Sequence, residues 1–111
     1  MTCPIVIMTT TGSEQQALTI AEELMQQELV ACVNILPTMR SIYRFKGKVF
    51  DDEENLLLIK TSDDMFDAVS EVIVQLHTYE VPEIVSFKVD QYRSSVLDWI
   101  ISSIGGASNQ T

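Results

Sequence analysis

Histidine occurs once in these 111 residues, as His77, and cysteine only twice, as Cys3 and Cys32. A catalytic nucleophile needs an adjacent base, and the chain offers a single imidazole for that task. Cys32 lies in an apolar segment, where a thiol behaves as a small hydrophobe. Gly-x-Ser-x-Gly, a glycine-rich phosphate loop and Cys-x-x-Cys are all missing, so the chain is expected not to be an enzyme. Long apolar runs are missing too: residues 5–8 and 56–59 fall far short of the roughly 20 residues a spanning helix needs. The first residues carry no basic side chain and too short an apolar stretch for a secretory signal, so the expected compartment is the cytosol, with both thiols reduced.

Positive charge is scarce. Seven Lys and Arg face sixteen Asp and Glu, a net charge of −9, and the excess is one-sided. Up to residue 50 the signs balance; beyond it twelve acids face only Lys60, Lys88 and Arg93. Such a field repels phosphate backbones and anionic lipid, which excludes nucleic acid and membrane surfaces as partners, and it attracts cations.

What is present is ordinary for one globular domain: 46% hydrophobic and 21% charged residues. The whole chain, 1–111, is read as a single domain with its core over about residues 5–104 and a polar tail over 105–111. Residues 5–9 form a short β-branched run before a turn at Gly12. Ser13 and Gln16 make a capping box for a helix reaching about residue 28. Residues 30–36, apolar on both faces and ended by Pro37, predict a second strand covered on both sides. A hairpin arm over 41–50 turns near Gly47, and residues 55–60 return as a third strand. A helix opens at Ser62-Asp63-Asp64, with Phe66, Val69, Val72, Ile73 and Leu76 as its buried stripe. A fourth strand follows over 84–89, then a last helix over 94–104 that stops at Gly105-Gly106.

That order is the split βαβ pattern of ferredoxin-like domains, an α+β sandwich with a long hairpin between its second and third strands and an extra C-terminal helix. Two helices cover one sheet face only. The uncovered apolar face and the hairpin's open edges predict an obligate oligomer.

For chemistry, His77 follows the second helix where a side chain can face a cleft; it is either a metal ligand or a hydrogen-bonded structural residue. The acidic run 51–54 is expected to be mostly solvated surface, since alternation turns its side chains to opposite faces. Glu54, Lys60, Tyr79 and Glu83 bring carboxylates, a cation and a phenol near His77, either as a small-ligand pocket or as a structural network around Lys60.

Ala31-Cys32-Val33-Asn34-Ile35, the stretch from Ser41 to Val49, Leu58-Ile59-Lys60-Thr61 and the stretch from Leu76 to Ile84 resemble, in order and spacing, the CutA divalent-cation tolerance family. The resemblance implies a homotrimer built through the hairpin, similar in architecture to the PII signalling proteins. It also implies a role in tolerance of divalent metals, chiefly copper, without catalytic residues. A family position for a copper-binding cysteine falls on Thr9, and the family's His-Pro-Tyr reads His77-Thr78-Tyr79. His77 is the candidate ligand that carries over. A second expectation is a PII-like signalling trimer that holds a small anionic metabolite near Lys60, and a third is a scaffold acting through protein contacts.

Overall fold

The computed structural model describes residues 2–105. Strand β1 (Pro4–Thr11) is followed by helix α1 (Glu14–Gln26), the long strands β2 (Cys32–Phe45) and β3 (Lys48–Ser62), a 3-10 turn at Asp63–Met65, helix α2 (Phe66–Leu76), strand β4 (Val85–Lys88) and helix α3 (Ser94–Ser103). The four strands form one antiparallel sheet in the order β2-β3-β1-β4. This is the ferredoxin-like arrangement expected from the order of elements. Of the polar tail expected at 105–111, residues 106–111 lie outside the described residues.

Alternation along the strands sorts the sheet into two faces. Ile5 and Ile7 of β1 and Leu57 and Ile59 of β3 point toward α1 and α2, where they meet Ala17, Ile20, Leu24, Val69, Val72 and Ile73 in one buried cluster. Each buried aliphatic side chain there contributes on the order of 1.5–3 kcal/mol of transfer free energy. Helix α3 packs on β3, burying Ile100 and Ile104 apart from that cluster.

Ser13 caps α1 as expected, its Oγ accepting the Gln16 N–H at 3.1 Å. Helix α1 ends two residues early because Glu28 turns to φ 58°, and Leu29 N–H returns to the Leu24 carbonyl at 3.2 Å, the closure usually left to glycine. Gly105 docks on that corner: its N–H donates to the Glu28 carbonyl at 2.7 Å, and a Cβ at position 105 would stand 2.7 Å from the Glu28 Cβ. Gly105 is thus packed structure and not the start of a tail.

The hairpin differs most from expectation. Pro37 does not end a strand; β2 runs through it, and the register slips between Leu36 opposite Leu56 and Met39 opposite Glu54. Pro37 and Thr38 together oppose the single residue Asn55, a β-bulge helped by the missing Pro37 N–H and by Thr38 at φ 52°. The third strand likewise extends from Lys48, taking in the acidic run 51–54. Lys46 and Gly47, at φ 51° and 79°, form the two-residue turn whose twist suits a hairpin. The covering expected on both faces of residues 30–36 is not reached within one protomer: Val30 is buried, but Leu36 is exposed and Val33 and Ile35 are half-buried.

Candidate functional site

The bulge decides where the hairpin's side chains point. Beyond it Met39, Ser41, Tyr43 and Phe45 share a face with Glu54, Asp52 and Phe50, the sheet face turned away from α1 and α2. With strict alternation and no extra residue they would point to the other side. On this face Tyr43 stacks on Phe50, ring centroids 5.3 Å apart, and its hydroxyl donates to Asp52 Oδ2 at 2.6 Å. That hydrogen bond to a carboxylate pushes the Tyr43 phenol up to about 12, so it stays protonated as a donor.

The segment after α2 closes over the same face. Lys46 at the hairpin tip pairs with Glu80 at 3.0 Å. Between hairpin and segment lies a cavity of about 750 Å³, within the range of small-molecule sites. Met8, Met39, Tyr43, Phe50 and Tyr79 give it apolar and aromatic walls, while Glu54, Glu80 and Glu83 supply its charge.

Glu54 is the buried member, 6% exposed. The Tyr79 hydroxyl donates to its Oε2 at 2.6 Å, and the Thr10 hydroxyl approaches the same oxygen at 3.4 Å. Burial and then the bond to Glu54 hold the Tyr79 phenol well above its ordinary value, so it remains a donor. Tyr79 lies across the β1–α1 turn, where a Cβ on Gly12 would come 3.2 Å from its hydroxyl oxygen. Gln16 ties the segment down: its side-chain amide donates to the Leu76 carbonyl at 3.1 Å and accepts the Thr78 N–H at 3.0 Å. The capping box is thus half used, because Gln16 reaches across to α2 and not back to Ser13.

His77 orders the same segment. Its Nε2 lies 2.7 Å from the Thr10 carbonyl, which can only accept, so the proton sits on Nε2 and Nδ1 accepts the Tyr79 N–H at 3.0 Å. Both ring nitrogens are engaged, and the ring leans on Tyr79 at 4.6 Å. A metal at His77 would have to displace one of these bonds. Among the described residues no three His, Cys, Asp or Glu side chains converge as a metal centre within the protomer. Thr9 points the other way, fully buried toward the helices.

The grouping of Glu54, Lys60, Tyr79 and Glu83 needs one correction. Glu54, Tyr79 and Glu83 do line one cavity, but Lys60 does not. It shares the Glu54 face of β3 six residues along, roughly 20 Å away at the rise of a strand, opposite Cys32. An anionic metabolite held between Lys60 and this pocket therefore has no support in the geometry, and neither has an ion pair of Lys60 with Glu54. Reading the sequence alone misses Tyr43, Phe45 and Phe50 as site residues. Their period-two spacing in the hairpin arm is visible there, but which face they take depends on the bulge. Of the acidic run, Asp51, Asp52 and Glu53 are exposed as expected, whereas Glu54 is not.

Sheet order and hairpin together are those of a small ferredoxin-like domain. The chain belongs to the CutA1 divalent ion tolerance protein family, whose model matches residues 5–103. The divalent-cation tolerance protein CutA of Thermus thermophilus is 43% identical over 100 residues, covering 90% of this chain and 97% of that protein. Protein CutA of Mus musculus is 35% identical and covers 98% of this chain, which spans only 57% of the mouse protein. The solved structure of a Thermus thermophilus divalent cation tolerance protein superposes with a TM-score of 0.88 at 42% identity, over 92% of this chain and 99% of that one.

Proposed function

We propose that the protein serves tolerance of divalent cations as a non-catalytic homotrimer in the cytosol, with divalent metal, copper included, held by carboxylates that assembly brings together. The observation that carries this reading is the pairing of family membership with the placement of charge. A net charge of −9 is concentrated after residue 50, and Asp51, Asp52 and Glu53 lie exposed on a hairpin that extends a molecule measuring 49 × 27 × 22 Å. The hairpin also carries uncovered apolar side chains, Ile42 at 68% and Val49 at 58% exposure, which favours burial against further copies. His77 enters such a site only by giving up the Tyr79 N–H, so carboxylates lead.

Calorimetric titration of the full chain with Cu²⁺ and Zn²⁺ tests this, using wild type, His77→Ala and an Asp52→Asn/Glu53→Gln double variant. Copper is expected to bind more tightly than zinc. The His77→Ala affinity should stay within roughly threefold of wild type, and the double variant should lose roughly tenfold or more. Loss of copper binding in His77→Ala alone would establish the imidazole as the ligand and overturn the carboxylate reading.

A further inference from the structure

We infer that the outward face of α1 is a docking surface for a cationic amphipathic helix of a partner protein. Folding separates charge in a way that the order of residues conceals. The helix layer, made of α1 with its closing turn at Glu28 and α2 with the turn that opens it, holds eight Asp and Glu and not one Lys or Arg. All seven bases lie on the hairpin, on β3, on β4 and before α3, and there they face the other eight acids. Nearly the whole net charge of −9 therefore belongs to the two helices.

Within that layer α1 carries apolar side chains that the chain itself does not cover. Ala17, Ile20 and Leu24 turn into the core, whereas Leu18 is 40% and Met25 47% exposed. Seven residues apart, these two stand on one stripe of the helix, with half-buried Ala21 between them. Glu14 and Glu22 stand four residues before and after Leu18 on the same stripe, and neither has an ion-pair partner among the described residues. The stripe thus alternates acid and apolar along the length of α1. Met25 lies in the last turn, where the carbonyl end of a helix favours a cation and α1 supplies none.

Charge complementarity selects the occupant. Anionic surfaces are repelled, and a second copy laid helix on helix would bring acids against acids. A free cation would use the carboxylates but leave Leu18 and Met25 in water. A helix with apolar anchors seven residues apart and Lys or Arg four residues from an anchor meets every part of the stripe. The stripe also lies off both surfaces that the trimer reading assigns to assembly, the projecting hairpin and the sheet face turned away from the helices.

The full chain, in EDTA so that metal plays no part, is titrated by fluorescence anisotropy with a labelled peptide of about 18 residues, Leu and Lys patterned as an amphipathic helix. A scrambled peptide of the same composition and a Leu/Glu counterpart serve as controls. The patterned cationic peptide should bind, the scrambled one roughly tenfold or more weaker, and the anionic one not measurably. Leu18→Ser/Met25→Ser should weaken the patterned peptide roughly tenfold or more, and Glu14→Lys/Glu22→Lys should abolish its binding. Asp52→Asn/Glu53→Gln, on the hairpin, should leave it unchanged, which separates this face from the carboxylates proposed for metal. Light scattering should give both α1 variants the wild-type mass. Equal affinity for the scrambled peptide, undiminished affinity in Leu18→Ser/Met25→Ser, equal loss in the hairpin variant, or no binding at all would each overturn the proposal. A smaller mass in either α1 variant would assign the stripe to the interface between copies and overturn it as well.

Discussion

Thr9 shows how little of a side chain's role its identity reveals. It stands in β1 between Ile7 and Thr11, fully buried on the helix-facing side, and its hydroxyl is buried without a hydrogen-bond partner among the described residues. An unmet buried hydroxyl costs roughly 1–3 kcal/mol, while an apolar group of the same shape costs nothing. Thr9→Val is therefore expected to leave the fold unchanged and to match or exceed wild-type stability, by up to about 2 kcal/mol in chemical denaturation. Destabilisation by more than about 1 kcal/mol would show that the hydroxyl is satisfied in solution. His77 is the converse case. A lone histidine beside a cleft invites a ligand role, and here both nitrogens go to backbone groups of Thr10 and Tyr79, which shape the cavity wall.

Between elements, the joint of β1 with the turn that opens α2 rests on a reciprocal pair. The Cys3 N–H donates to Asp63 Oδ1 at 3.0 Å, and the Asp63 N–H donates to the Cys3 carbonyl at 2.8 Å. The first of these bonds holds the Asp63 carboxyl below its ordinary range. A carboxyl depressed in the folded state stabilises the protein above the unfolded-state value of about 4, and that stability is lost as pH falls through that value toward the folded one. Wild type should therefore lose stability on acidification below about pH 4. Asp63→Asn should be less stable at neutral pH and show a shallower decline, as read from melting temperatures across the range. An equally steep decline in the variant would assign the acid sensitivity elsewhere. The hairpin carries the other lesson of this kind. The residues on either side of Pro37 read as strand, but proline suggests an end where the chain makes a bulge, because the missing N–H can be absorbed wherever pairing is already broken.

At the scale of the whole molecule, a lone chain leaves large apolar side chains uncovered. Val49 and Ile42 on the hairpin, Leu36 on β2 and Phe87 on β4 are all exposed. Light scattering is expected to give a mass near three times 12.5 kDa, unchanged on dilution to low micromolar, as befits an obligate interface. Val49→Asp, which sets a charge in place of an exposed apolar side chain of the hairpin, should shift the population toward smaller species. A wild-type mass of about 12.5 kDa would refute the trimer outright.

By itself the sequence determined the order of strands and helices, the Ser13 cap, the core stripe of α2 and the acidic field of the second half. Each of these rests on local periodicity, on capping chemistry or on counting charges, which need no knowledge of distant partners. Only the tertiary structure decided that Glu54 is buried while Asp51 to Glu53 are not, that Lys60 stands away from the cavity, and that the hairpin's aromatics face inward. Those outcomes depend on a one-residue slip between β2 and β3 and on what the segment 77–83 packs against. A pairing register is a relation between residues far apart in the chain, and a single extra residue reverses the face of every side chain beyond it.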